Sequence, residues 1–216
     1  MIEVRQQVNA VRRQVGARTL EAGEAQTVTI SQTYDAGIDD VWDACTNPER
    51  IPRWFLPLSG DLRLGGRYQL EGNAGGTVER CDPPMSFAAT WEYGGQTTWI
   101  EVRLTAAPGG GTRFELEHLA YPDEHWAEFG PGAVGIGWDL ALLLGLGVHL
   151  ASGQVVDPEG SAAWVASDDG KQFVRLCSQA WCEAHIAAGA DAADAEARAA
   201  RTAAAYTATP DASSPS

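Results

Sequence analysis

Twenty consecutive residues, Gly132 to Ala151 (GAVGIGWDLALLLGLGVHLA), carry a single formal charge, at Asp139. As a helix the stretch would run roughly 30 Å, long enough to span a bilayer. Three observations point away from lipid. Gly135, Gly137, Gly145 and Gly147 weaken an isolated helix. Asp139 would be costly at bilayer depth, and no Lys or Arg flanks the segment. A helix apolar nearly all round is then one buried nearly all round, so it needs a cover on most of its sides.

The residues before it supply that cover. Thr27 to Tyr34 alternates and is rich in β-branched residues, as a strand is. Further short strands are predicted at Leu62 to Leu64, Arg67 to Glu71, Gly76 to Cys81, Ser86 to Tyr93, Thr97 to Thr105 and Thr112 to Tyr121. Gly65-Gly66, Gly72-Asn73, Asp82-Pro83-Pro84, Gly94-Gly95 and the glycines after Pro108 separate them, which describes an antiparallel meander. Alternation assigns the faces. Tyr68 and Leu70, then Phe87, Ala89, Trp91 and Tyr93, then Ile100, Val102 and Leu104, and finally Phe114, Leu116 and His118 point one way. Charged residues such as Arg67, Glu92, Glu101 and Glu117 point the other way. A sheet apolar on one face needs covering on that face alone. The expected class is α+β, a curved antiparallel sheet wrapped around the long helix, with an extra helix at the C-terminal end.

Around this domain, placed at residues 26–153, three further segments are expected. In residues 1–25, Val4, Val8, Val11 and Val15 recur at spacings of four, three and four, a helical stripe. It reads as an amphipathic arm docked on the body; the alternative is a dimerising arm and hence a homodimer. Residues 154–206 form a helical extension, starting near Asp168-Asp169-Gly170 with Phe173, Val174, Cys177, Ala180, Trp181 and Ile186 on one face. Residues 207–216 have too little apolar content to order themselves. Asp39 is an N-cap candidate for a short helix through Val41, Trp42 and Cys45. Asn47-Pro48 opens a second short helical turn that Pro52 limits.

A formal net charge of −14 argues against nucleic acid, which calls for a Lys/Arg surface, and against anionic membranes. None of Cys45, Cys81, Cys177 and Cys182 forms a C-x-x-C pair. They read as free, mostly buried thiols, and the expected location is the cytoplasm. His118, His125, His149 and His185 show no metal-binding spacing, and neither a G-x-S-x-G elbow nor a G-x-x-x-x-G-K-[ST] loop is present. The glycines of GPGAVGIG at 130–137 follow no predicted strand, so they do not read as a phosphate cradle. No catalytic residue, metal ligand or cofactor is assigned.

The order strand, two short helices, meander, long helix resembles the SRPBCC superfamily, also called START-like or Bet v 1-like, with its helix-grip fold. The nearest branch is that of bacterial homologues of the activator of the 90-kDa heat-shock protein ATPase. Val41 to Ala44, Asn47 to Glu49, Trp54-Phe55, Gly65 to Tyr68, Asp82 to Pro84, Phe87 to Trp91 and Gly111 to Phe114 carry the likeness, over roughly residues 27–152. The resemblance implies a cavity between sheet and helix, often for a hydrophobic small molecule; protein-binding members and enzymes such as polyketide cyclases share the fold. It places Trp54 and Phe55 at a cover near the cavity mouth. With Tyr68, Phe87, Trp91, Phe114 and Leu116 on the sheet and Trp138, Leu142 and His149 on the helix, these are the candidate ligand-binding residues, together with His118. Trp138 and His149 lie eleven positions apart, near one helical face. His118 reads either as a rim histidine or as a polar anchor or general base. Asp139 faces solvent near the helix start, or else pairs with Arg53 or Arg67 or orients a ligand. The expected function is non-enzymatic binding of a small hydrophobic molecule. The alternatives are a protein-interaction module with a protein partner, and a cyclase- or hydrolase-type enzyme using His118 and a pocket acid. Neither nucleic acid nor membrane is an expected partner.

Overall fold

A computed structural model describes residues 4–208. Its centre is one eight-stranded antiparallel sheet in the order β1-β2-β8-β7-β6-β5-β4-β3. The strands are β1 Arg12–Leu20, β2 Gly23–Tyr34, β3 Leu58–Gly60, β4 Arg67–Leu70, β5 Gly75–Asp82, β6 Ser86–Tyr93, β7 Gln96–Ala106 and β8 Thr112–Ala120. The meander β3 to β8 follows the turn-punctuated pattern of the sequence, and β2 returns to lie beside β8. Cross-strand register places Ile100 opposite both His118 and Ala89, and Val102 opposite both Leu116 and Phe87. One row of alternating residues therefore faces the interior. On the other face Glu101 and Glu117 sit among Arg18, Arg80 and Arg103 in ion pairs. The expected strand at Leu62 to Leu64 is absent. Asp61 Oδ1 accepts from the Arg63 backbone N–H at 3.0 Å and turns the chain there, while Leu58–Gly60 pairs with β4 instead.

The helices are α1 Val4–Ala10, α2 Ile38–Thr46, α3 Glu124–Phe129, α4 Gly132–Ser152, α5 Pro158–Ala166, α6 Asp168–Ala187 and α7 Ala192–Thr207. Helix α4 is long and apolar enough to cross a membrane by length and composition alone. Here it is the gripped helix, with Ile136, Leu142 and Leu146 buried in the core. Its middle, Ala141–Gly147, is wound as a π-helix, whose i→i+5 bonds change the angular register between the two halves. After it, α5, α6 and α7 are each N-capped by a side chain: Asp157, Ser167 and Asp191. Thr207 closes α7; of the tail expected at 207–216, residues from 209 on lie outside the described ones.

The valine stripe is helical only as far as Ala10. Arg12–Leu20 pairs with β2 along its whole length, from Arg12 opposite Ser31 to Leu20 opposite Gly23. A spacing of four also keeps Val11 and Val15 on one strand face, and strand pairing covers the β2 edge that a longer helix would have left open. The change puts Arg13 on the inner face. There its guanidinium grips Asp139 with two bonds, Nη2 to Oδ1 at 2.7 Å and Nε to Oδ2 at 3.2 Å. Asp139 thus neither faces solvent nor pairs with Arg53 or Arg67: its side chain is fully buried, and that of Arg13 nearly so. Trp181 Nε1 of α6 donates to Asp139 Oδ2 at 2.8 Å, and Arg13 Nη1 donates to the Val8 and Val11 carbonyls. Burial pushes the Asp139 carboxyl up; the Arg13 charge and these hydrogen bonds oppose it. The pair joins β1, α4 and α6 at one point.

Candidate functional site

Between the inner sheet face and the middle of α4 lies a cavity of about 130 Å³. Its sheet wall comes from Tyr68, Leu70, Val78, Phe87, Ala89, Trp91, Ile100, Val102, Phe114 and Leu116; α4 adds Trp138 and Leu142. The third wall is α2 and the turn after it, with Cys45, Thr46, Ile51, Trp54 and Phe55, completed by Leu58 of β3 and Leu62 just beyond it. Alternation on the strands and the helical spacing of α4 thus converge on one space.

The polar groups at this wall already have partners. Tyr68 OH donates to the Thr90 carbonyl at 2.7 Å, Thr46 Oγ1 to the Trp42 carbonyl at 2.8 Å, and Trp54 Nε1 to the Ala44 carbonyl at 2.8 Å. What faces the void is carbon and sulfur. Trp54 stacks on Phe55 at 5.4 Å between ring centroids, Phe55 on Trp138 at 6.3 Å, and Trp138 meets Trp91 edge-on at 5.2 Å. Such offset and edge-to-face arrangements add to area burial. A Cβ on Gly145 would lie 2.5 Å from the Trp54 carbonyl oxygen, so a glycine is what lets α4 come this close to the covering turn.

Of the sequence candidates, Trp54, Phe55, Tyr68, Phe87, Trp91, Phe114, Leu116, Trp138 and Leu142 come together around the cavity. His118 and His149 do not line it. His149 is separated from Trp138 by the π-helical turn, so the eleven-residue spacing no longer puts them on one face. Its Nε2 accepts from Arg50 at 3.2–3.3 Å, and its Nδ1 is 2.9 Å from the Gln154 carbonyl. His118 stands behind Trp138, whose indole N–H donates to His118 Nδ1 at 3.2 Å. Because an indole only donates, Nδ1 is the acceptor and Nε2 carries the hydrogen, directed to Thr98 Oγ1 at 2.9 Å; Thr98 in turn donates to the Trp91 carbonyl. Burial lowers the His118 pKa to about 4, so the ring is neutral and its one free lone pair is occupied. That is the arrangement of a structural histidine rather than of a base waiting for a proton. Asp139, one of whose expected roles was to orient a ligand, belongs instead to the Arg13 junction on the other flank of α4.

The sequence reading missed the two thiols of the wall, Cys45 and Cys81. Burial pushes the Cys45 thiol up to about 12, so it packs as a small apolar group. The amphipathic spacing of Cys45 with Val41 and Trp42 was the available signal. Among the described residues, no group of three or more His, Cys, Asp or Glu is arranged to hold a metal ion.

A second cavity, of about 310 Å³, lies at the other end of β7 and β8, under α3 and the first turns of α4. His118 lines it, with Gln96, Thr97, Thr98, Ala120, Tyr121, Pro122, Asp123, His125, Trp126, Gly130, Ala133 and Val134.

Comparison with known proteins agrees with this architecture. The model of the family described as Activator of Hsp90 ATPase homolog 1-like protein matches residues 35–149. The crystal structure of CalU16 from Micromonospora echinospora is 37% identical, covers 84% of this chain and 99% of its own, and superposes with a TM-score of 0.64. The solution NMR structure of CalU16 gives 36%, 83%, 97% and 0.67. The share of this chain covered is larger than residues 1–153 alone could supply, so the likeness reaches into the helices after Gly153. No curated protein matches.

Proposed function

Proceeding from a chain that belongs to the Activator of Hsp90 ATPase homolog 1-like family, whose fold is of a ligand-binding or activator-like type, we propose that it binds a small, largely apolar molecule without transforming it. The observation that carries this reading is the wall chemistry: a partly open space of about 130 Å³, ringed by aromatic and aliphatic groups whose polar neighbours are all satisfied internally. Dry cavities of roughly 150 Å³ lined by Leu, Ile and Phe take up benzene, so the space suits a single ring or a short alkyl segment. Free thiols suit a reducing compartment such as the cytoplasm.

The test is thermal and chemical stabilisation of the full chain by a panel of small lipophiles, toluene and indole among them. A ligand at about 100 times its Kd adds about 2.7 kcal/mol. Val102→Phe, which fills the space from β7, should abolish the response. A flat response across the whole panel would sink the proposal.

The family's name supports a second reading, a module that stimulates a chaperone ATPase; added chain would then raise ATP turnover by the chaperone. An enzymatic reading through His118 has little support, because its Nδ1 is taken by Trp138 and no carboxylate lines the apolar cavity.

A further inference from the structure

Three elements contribute to both cavities through residues one step apart. On β7, Ile100 lines the apolar cavity and Thr98 the second; on β8, Leu116 and His118 are divided in the same way; on α4, Trp138 lines the first and Val134 the second. Two residues along a strand are about 7 Å, and four along a helix about 6 Å. The cavities therefore lie end to end in one trough between sheet and helix, one layer of side chains apart. That layer is the Trp138 indole on His118, with His118 held by Thr98. The indole is fastened to the partition by one hydrogen bond of 3.2 Å, at the long end of the normal range.

We propose that the two cavities form one site for an elongated aryl-alkyl amphiphile, its phenyl-sized end in the apolar cavity and its polar end, an amine or a hydroxyl, in the second, with the Trp138 indole turned off His118. The proposal rests on the binding reading above and specifies the ligand class. The apolar cavity, of about 130 Å³, falls short of the size of small-molecule sites, roughly 300–1,000 Å³; joined to the second, of about 310 Å³, it lies within that range. The polar end follows from the second cavity's lining. Its titratable groups are His118, Tyr121, Asp123 and His125, and neither Lys nor Arg is among its lining residues. Asp123 accepts from the Trp126 backbone N–H and from Gln96 Nε2, and its carboxylate keeps unused lone pairs. Once the indole leaves, His118 Nδ1 is a further acceptor, and burial keeps that ring neutral. A donor-bearing end finds acceptors here, whereas an anionic end meets the Asp123 carboxylate in a lining that holds neither Lys nor Arg.

The experiment compares toluene, 4-phenylbutylamine, 4-phenylbutanol and 4-phenylbutanoate on the full chain by calorimetry, with the Trp138 indole N–H followed by NMR. The amine and the alcohol should bind about ten-fold or more tighter than toluene and shift the Trp138 N–H resonance, while the butanoate gains nothing over toluene. Val134→Phe, which fills the second cavity, should bring the amine and the alcohol down to the affinity of toluene and leave toluene unchanged. Asp123→Asn preserves the helix cap and should weaken the amine by about five-fold or more with the alcohol unchanged. Toluene binding without any advantage for the longer ligands overturns the joined site and leaves the apolar-binding proposal standing. Equal affinity for the butanoate overturns the assigned polar end. Failure of all four, toluene included, overturns both proposals.

Discussion

Trp138 and Asp139 are adjacent on α4, yet they enter two interiors of opposite construction. Trp138 turns toward the sheet, where the walls are carbon and sulfur and space is left between them. Asp139 turns toward β1 and α6, where a charge pair is buried and the packing has no slack. A Cβ on Gly135 would lie 2.2 Å from a carbon of the Trp181 ring, so only glycine admits α6 at that distance. On the Asp139 side every polar group is fixed by a partner from another element. On the Trp138 side the cavity is bounded by aromatic rings that touch one another without bonding, held only by the single hydrogen bonds of the Trp54 and Trp138 indole N–H groups and the Tyr68 hydroxyl. The contrast suggests a division of labour along one helix: one flank anchors the flanking segments, and the other keeps a space that can be filled.

The sharpest way to break this contrast is Asp139→Ala. It leaves the Arg13 guanidinium buried without its carboxylate, which costs about 3–5 kcal/mol where a buried pair loses one partner. Urea denaturation should show the loss as a lower midpoint with an unchanged slope, and toluene should still bind to the fraction that folds. A cost below about 1 kcal/mol would mean that water reaches the pair and that the junction is not the anchor described.

How far this contrast was legible beforehand depends on sequence range. The meander and the inner faces of β4, β6, β7 and β8 follow from period-two alternation, which is local, and five of the nine candidate side chains that meet at the cavity, Tyr68, Phe87, Trp91, Phe114 and Leu116, do so for that reason. The Arg13–Asp139 pair joins positions 126 apart, and no local pattern relates them. The stripe Val4, Val8, Val11, Val15 fits a helix throughout, and on a helix Arg13 lies opposite that stripe; only pairing with β2 turns it inward. His149 was misplaced because the sequence reading assumed a constant 3.6-residue period through Ala141–Gly147, where the helix is wound differently. Segments with glycines at the points of close approach carry little signal about their own winding. The cavity thiols Cys45 and Cys81 sit at positions whose local pattern does not separate a cavity wall from ordinary core.

A smaller effect tests the partition on the Trp138 flank. The His118 imidazole titrates near 6.5 in an unfolded chain and near 4 in the fold, so between those values the unfolded chain binds a proton that the native state refuses. The contribution is fully present above about pH 6.5 and declines as pH falls toward 4, by on the order of 3 kcal/mol in all. Carboxylates add their own acid dependence, so the comparison is with His118→Gln, which retains an acceptor for the Trp138 N–H. Its stability should fall less steeply than that of the wild type over this window. Parallel curves for the two proteins would mean that His118 is solvated and that the wall between the cavities is open.

The least costly substitution probes the cover itself. Trp54 is held twice: its backbone lies under Gly145 of α4, and its indole N–H donates to the Ala44 carbonyl at the end of α2. Trp54→Phe keeps a ring that can stack on Phe55 and removes the N–H together with part of the indole, so stability should fall by about 1–2 kcal/mol. The ring can then swing without breaking a hydrogen bond, and if the cavity opens past Trp54, toluene should exchange several-fold faster, read from NMR line widths at matched occupancy. Asp139→Ala should do the reverse, with a large loss of stability and little change in exchange from the folded state. If exchange instead quickens in Asp139→Ala and not in Trp54→Phe, ligand enters by loosening the β1–α6 side, and the anchoring flank of α4 would be the door.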